Sequence, residues 1–164
     1  MKAIIFTEYG SPDVLQFIEV ECPTPKDNEV LVKVHAASAN PADWHTMRAK
    51  PFLARMANGL LRPKNPRLGA DLAGRVEAVG KNVTQLQVGD DVFGELPLDG
   101  LGSFAEYVCS IEDALALKPA RLTFEQAGKI VPVIDRQYPL SETAEAIRYL
   151  ETGRACGKVV IKVI

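Results

Sequence analysis

The stretch Glu29-Val30-Leu31-Val32-Lys33-Val34-His35-Ala36-Ala37-Ser38-Ala39-Asn40-Pro41-Ala42-Asp43 decides how this chain is read. Val30, Val32, Val34 and Ala36 share one face of an extended backbone, and Leu31, Lys33 and His35 share the other. That is the period of a half-buried β-strand over 29–37. The pattern then breaks. Asn40 before Pro41, with Asp43 three places after Asn40, supplies an N-cap acceptor, a proline suited to the first helical position and a first-turn carboxylate. The spacing therefore predicts a strand followed by a short helix through Trp44, His45 and Met47. His35, beside Lys33 on the wetter face, reads as a solvated or hydrogen-bonded histidine rather than a catalytic one.

Most of the first 118 residues repeat this texture, with period-2 or β-branched runs broken by Gly, Pro, Asn and Asp. Strands are expected near 3–9, 14–20, 29–37, 72–79, 90–93, 104–109 and 114–118. After the helix, Pro51-Phe52-Leu53-Ala54-Arg55-Met56 and Leu60-Leu61-Arg62-Pro63 form a long loop with bulky apolar side chains. Loops of that length in compact domains are usually functional or mobile, so a ligand is expected there. Toward the C-terminus Leu140, Ala144, Ile147 and Leu150 recur at helical spacing, Ser141 can cap, Glu142 and Glu145 lie in the first turn and Gly153 stands at the C-cap. This helix of about three turns is flanked by the apolar runs 130–134 and 159–164. Pro132 places the first run at a sheet edge or a strand start.

One place is locally inconsistent. Thr123-Phe124-Glu125-Gln126 has the form of a capping box and should open a helix, yet Gly128 follows two residues later and a strand-like run replaces the helical signal. The simplest reading is a helix start whose body is missing.

The chain has 164 residues, about one domain's worth, and a formal net charge of -2 from 19 basic and 21 acidic residues. Such a balance provides no overall field to gather phosphate backbone or anionic lipid, so neither nucleic acid nor membrane partners are expected. No apolar run approaches the ~20 residues needed to span a bilayer, and Met1-Lys2-Ala3-Ile4-Ile5-Phe6 is too short for a signal core, so a cytoplasmic location is expected. Cys22, Cys109 and Cys156 are scattered and odd in number, which fits reduced thiols. With these and two histidines, ligands for a catalytic or structural zinc are scarce.

Gly100-Leu101-Gly102-Ser103-Phe104-Ala105 has the G-x-G-x-x-G/A spelling of a dinucleotide loop, but Phe104–Val108 reads as a strand, not as the helix that motif must open. It is a glycine-rich turn. No P-loop spelling occurs, and Ser38 and Ser103 lack a G-x-S-x-G elbow. Asn40, Asp43, Trp44 and His45 form the one cluster with chemical promise, although a cap, a first-turn carboxylate and a core anchor would explain the first three without any function.

The order of these elements resembles the medium-chain dehydrogenase/reductase superfamily, specifically its zinc-free quinone oxidoreductase-like branch. The resemblance rests on Met1–Ile4 with Gly10–Leu15, Glu29–Asp43, Gly69-Ala70-Asp71-Leu72-Ala73-Gly74-Arg75-Val76, Val88–Gly94, Gly102–Tyr107 and Leu122–Ala127. In zinc-dependent relatives a cysteine ligand lies around the position of Asn40 to Ala42, and Gly-His-Glu stands where this chain has Gly69-Ala70-Asp71, so the resemblance implies no metal. It implies that residues 1–127 are a GroES-like substrate domain and that 128–164 are the segment that returns to it after a dinucleotide-binding domain. That domain should lie between Ala127 and Gly128.

The expected fold is therefore mainly β (α+β), a GroES-like partly open barrel with short helices and a C-terminal helix, forming one domain over 1–164 without a Rossmann unit. The resemblance implies reduction of a quinone or unsaturated carbonyl by NADPH in the intact parent, with no cofactor bound by this chain and no activity from it alone. Asn40 and Asp43 are the expected catalytic residues, and Trp44, His45, Met47 and Phe52 the expected substrate contacts. A monomer is expected, with self-association through the exposed former domain interface as an open possibility. A non-catalytic binding or scaffold domain of the same fold is the alternative.

Overall fold

The computed structural model describes residues 1–50, 54–97, 100–126 and 133–163. Its central strand is β3, Glu29–Ala39, and the alternation in its sequence decides how it is buried. Val30, Val32 and Val34 are fully buried, while Leu31, Lys33 and His35 remain half-buried. From Ala36 to Ala39 both faces are buried, so the period-2 signal fades where neighbouring elements cover the strand on each side.

Before β3 come β1 (Lys2–Ile5) and β2 (Gln16–Glu19), which pair antiparallel as a separate two-stranded sheet. After it come β4 (Asp71–Val79), β5 (Asp91–Glu95), β6 (Tyr107–Ile111), β7 (Leu115–Leu117), β8 (Ile134–Pro139) and β9 (Lys158–Lys162). These six form one sheet with β3, in the order β7-β5-β4-β3-β9-β8, with β6 also on β3. Two strands share one edge of β3: β6 pairs with residues 29–33 and β9 with residues 36–39. The C-terminal segment thus completes the end of β3 that leads into the helix. A bulge between Val34 and Ala36 bends β3 against β4, where Gly74 leaves room that a Cβ would lose to the Lys33 carbonyl at 2.2 Å.

The fold is mostly strand with few helices, as the sequence predicts. The partly open barrel takes the form of an open sheet that is not closed into a barrel among the described residues. Backbone bridges at Ala3–Ala105 and Ile5–Arg67 attach the small sheet, and Phe6 and Phe104 join the common core. Phe104 is buried beside a short bridge, and β6 begins only at Tyr107, so the strand expected from residue 104 starts late.

Helix α1 (Pro41–Arg48) starts where expected and ends at Ala49, whose φ is 49°. A short helix α2 (Ala54–Asn58) interrupts the region read as a loop. Helix α3 (Thr143–Glu151) follows a 3₁₀ turn at Leu140–Glu142, and Gly153 after it has a φ of 67°, as a C-cap glycine should. Its buried face is Leu140, Thr143, Ala146 and Ile147, with Ala144 half-buried, so the stripe is rotated by one position from the expected 140-144-147-150 set. Glu142, not Ser141, stands at the N-cap because the 3₁₀ turn occupies the residues before it. Arg48 pairs its guanidinium with the Glu151 carboxylate and so joins α1 to α3.

Of the expected 130–134 strand, 130–132 lie outside the described residues; the observed strand runs through Ile134–Pro139 and lies parallel to β9. At Thr123–Gln126 the capping chemistry is present as a single turn: Gln126 Oε1 accepts from Thr123 N–H at 3.1 Å, and Gln126 N–H donates to the Thr123 carbonyl at 3.2 Å. The junction at Ala127 to Gly128 lies outside the described residues.

Candidate functional site

Three strand ends meet where β3 runs into α1. Ser38 is paired directly with Asp71, the first residue of β4, and with Val160 of β9. Two residues further on the same side is Asn40, and Lys158 opens β9. The four polar side chains of this junction form one network. Asp71 Oδ2 accepts from Ser38 Oγ at 2.7 Å, from Asn40 Nδ2 at 3.1 Å and from Lys158 Nζ at 2.7 Å. Lys158 Nζ also donates to Asn40 Oδ1 at 3.0 Å and to Ser38 Oγ at 3.3 Å.

This network changes what Asn40 does. Asn40 holds the N-cap position, but its side-chain oxygen receives Lys158 and its amide nitrogen donates to Asp71 and to the Ser38 carbonyl at 3.2 Å. Asp43 stands at the third helical position and forms a capping box with Asn40. Its Oδ2 accepts from Asn40 N–H at 2.7 Å, and its Oδ1 accepts from Gly69 N–H at 3.0 Å. Gly69 reaches that position with a φ of 92°, and a Cβ there would meet Ser103 Oγ at 2.3 Å. Asp43 is 1% exposed. Burial raises its pKa to about 6, against the lowering effect of the two backbone N–H donors. Asp71 is the opposite case. Burial alone would raise it, but hydrogen bonds from Lys158 and Ser38 outweigh that and hold it below the usual carboxylate range.

A cavity of about 380 Å³ opens over this network. Ala36, Ala37, Ala42 and Ala70 keep its floor shallow-sided and apolar, Phe93 and Phe124 supply aromatic walls, and Asn40, Asp71 and Lys158 bring polar groups to it. Phe124 is held by a parallel stack on His35, with centroids 4.2 Å apart, and by Lys118 Nζ 5.1 Å from its ring centre. Burial, then the charges of Arg75 and Lys33, lower the His35 pKa and so favour the uncharged form of the stacked ring. Glu125, beside Phe124, pairs with Lys162 at 3.4 Å. The turn at Thr123–Gln126 therefore forms one wall of the cavity. A second cavity of about 310 Å³ adjoins it, sharing Ala42, Ala70 and Glu95 and bordered also by Asp43, Leu96, Pro97 and Leu101.

Of the residues singled out in the sequence, Asn40 lines the first cavity and Asp43 the second. Trp44 and His45 stack on each other at 3.7 Å, with His45 Nδ1 3.2 Å from the Lys50 carbonyl, and they line neither cavity. Met47 is fully buried in the core. Phe52 lies outside the described residues. Ser38, Asp71 and Lys158 are the polar residues that sequence reasoning missed. Ser38 and Asn40 have the two-residue spacing of one strand face, but nothing local connects them to a lysine 118 residues further on.

Among the described residues no group of three or more His, Cys, Asp or Glu side chains could hold a metal ion. Ala70 brings no donor, and the Asp71 oxygen facing the site is already occupied by Lys158, Ser38 and Asn40. These residues do not fit a zinc ion.

The family described as "Alcohol dehydrogenase GroES-like domain" matches residues 26–120, and "Zinc-binding dehydrogenase" matches residues 120–161. A quinone oxidoreductase of Sus scrofa is 38% identical over 135 residues, covering 79% of this chain and 37% of that protein. A 2-methylene-furan-3-one reductase of Solanum lycopersicum is 36% identical over 174 residues, covering 99% of this chain and 43% of that protein. The solved structure of the quinone oxidoreductase from Coxiella burnetii superposes with a TM-score of 0.69 at 29% identity, over 92% of this chain and 53% of that one. The chain spans about two fifths of the length of these curated relatives.

Proposed function

Since this chain belongs to the medium-chain dehydrogenase/reductase superfamily, in its quinone oxidoreductase-like branch, we propose that it is the substrate-side domain of a zinc-free, NAD(P)H-dependent quinone or enone oxidoreductase, formed by residues 1–127 and 128–164, and that it does not transfer hydride by itself. The observation that carries this reading is the cavity at the junction of β3, α1, β4 and β9. It is roomy enough for a small planar carbonyl compound, apolar through its alanines and two phenylalanines, and provided with a few fixed polar groups at one end. Such a site binds and orients a substrate; the hydride would come from a reduced nicotinamide, whose dinucleotide fingerprint this sequence lacks.

In this reading Asn40 touches the substrate, its carboxamide locked by Lys158 and Asp71 so that orientation costs little on binding. Asp43 acts as a positioning residue: it holds the first turn of α1 to Gly69 and so fixes the wall shared by the two cavities. Phe93 and Phe124 select flat ligands. Trp44 and His45 would serve a larger substrate reaching beyond the cavities.

The test uses the chain as it is. Duroquinone, which does not alkylate thiols, is titrated into isotope-labelled protein. Saturable amide shifts are expected at Ala36, Ala37, Asn40, Ala70 and Phe124, weakened at least several-fold in Asn40→Ala. NADPH fluorescence is expected to show no saturable micromolar binding, and no quinone-dependent NADPH oxidation should occur. Shifts confined to other regions, or turnover by this chain alone, would overturn the proposal.

A further inference from the structure

The net charge of -2 conceals a strong segregation. Between Asp43 and Asp71 there is no acidic residue, yet Arg48, Lys50, Arg55, Arg62, Lys64 and Arg67 all lie there, leaving 13 basic against 21 acidic residues elsewhere. Arg48 is matched by Glu151, but no ion pair engages Lys50, Arg62, Lys64 or Arg67 among the described residues. In the midst of this positive region stand Met56, Leu60 and Leu61, which are 75%, 60% and 85% exposed. Several other exposed apolar residues have acidic neighbours in sequence: Phe17 and Ile18 precede Glu19, Val88 precedes Asp90, and Ile111 precedes Glu112.

The excursion that carries these residues is tied down. Tyr9 Oη donates to the Gly59 carbonyl at 2.8 Å, Lys64 N–H to Asn58 at 2.7 Å, and Gly59 N–H to Arg55 at 2.9 Å, while Phe6 N–H reaches the Pro66 carbonyl at 2.9 Å. Leucines on a loop free to collapse would turn inward; here the backbone bonds hold them out. Exposed aliphatic side chains on a tethered segment that carries cations and no carboxylate of its own match the charge and layering of an anionic lipid interface. Single-stranded nucleic acid would call for exposed aromatic rings for stacking, and Met56, Leu60 and Leu61 offer none.

We infer that the excursion from Arg55 to Arg67 docks this protein peripherally on anionic lipid surfaces, with Leu60 and Leu61 entering the headgroup boundary and Arg62 and Lys64 meeting phosphate groups. No helix among the described residues is long and apolar enough to cross a membrane, so the contact is interfacial. Docking does not depend on the oxidoreductase reading. If both hold, the cavity is brought close to a phase in which lipophilic quinones dissolve.

The experiment is vesicle co-sedimentation at low salt, with phosphatidylcholine alone and with phosphatidylcholine containing one third phosphatidylglycerol. Binding is expected only to the anionic vesicles. Because all four side chains are exposed, their variants retain the fold. Leu60→Ser with Leu61→Ser should lower partitioning by roughly tenfold or more, and Arg62→Gln with Lys64→Gln by about fivefold per charge. Leu117→Ser, on exposed β7, should change nothing. Three outcomes would overturn the inference: no sedimentation with anionic vesicles, sedimentation indifferent to both pairs, or equal retention on RNA independent of the leucines. A dimer seen by light scattering and abolished by the leucine pair, without vesicle binding, would also overturn it, assigning the surface to a second copy of the chain.

Discussion

Asp43 offers a clean test of the site because its carboxylate is buried and, among the described residues, accepts hydrogen bonds from two backbone donors, Asn40 N–H and Gly69 N–H. Its pKa is raised from 3.8 to about 6 in the folded protein, chiefly by burial. A carboxyl group with a raised folded-state pKa contributes stability that is fully present below the unfolded value, near pH 4. That contribution is lost as pH rises through 6. The rise is worth roughly 2–3 kcal/mol of stability between pH 4 and pH 7. Asp13, Asp71, Asp91, Glu125 and Glu151 have lowered pKa values and act in the other direction from about pH 5 downward, so the wild-type profile alone would mix these effects.

Asp43→Asn separates them. The variant keeps one acceptor for the two N–H groups and points an amide at the other, which costs about 1–3 kcal/mol. It has no proton to exchange. Urea unfolding at intervals from pH 4 to pH 7 should show the wild-type advantage over Asp43→Asn shrinking by roughly 2–3 kcal/mol as pH rises, with most of the change between pH 4 and 6. A difference that stays flat or grows with pH would refute the assignment of Asp43 as a buried, burial-shifted carboxyl.

Ile147 is fully buried in the middle of α3, so Ile147→Asp should lower unfolding free energy by on the order of 4 kcal/mol or more; an unchanged urea midpoint would show that residues 134–163 are not part of the same cooperative fold. Replacing Lys158 with Met removes the strongest donor to Asp71, and carboxyl NMR titration should find the Asp71 pKa risen toward or above its ordinary value; no movement would mean that Ser38 and Asn40 suffice. Gly69→Ala forces a side chain into a backbone with φ of 92° and against Ser103 and Phe104, and should cost roughly 2–4 kcal/mol in chemical denaturation, whereas a neutral substitution would deny the strained approach. Elemental analysis of dialysed protein should find no stoichiometric zinc, since Ala70 and the occupied Asp71 leave no ligand set.

Much of the fold is legible in the sequence because strand and helix signals are local. The alternation of Val30, Val32 and Val34, the Asn40-Pro41 helix start and the glycine after α3 each depend on residues within one turn or one pleat. The same locality explains the half-buried state of His35, although its stack on Phe124 links positions 89 residues apart and is not legible. What the sequence could not decide is which strands adjoin. Only tertiary structure sets β6 and β9 end to end on one edge of β3 and brings Lys158 to Asn40 and Ser38, so that the Asn40 carboxamide joins a long-range network while Asp43 accepts from the Asn40 N–H. Met47 shows the limit from the other side: its place on α1 follows from the sequence, but its direction into the core follows from how α1 and α3 meet. A side chain's secondary structure is set by its neighbours in the chain, while its partners are set by loop closure and burial across the whole fold, and it is the partners that make a site.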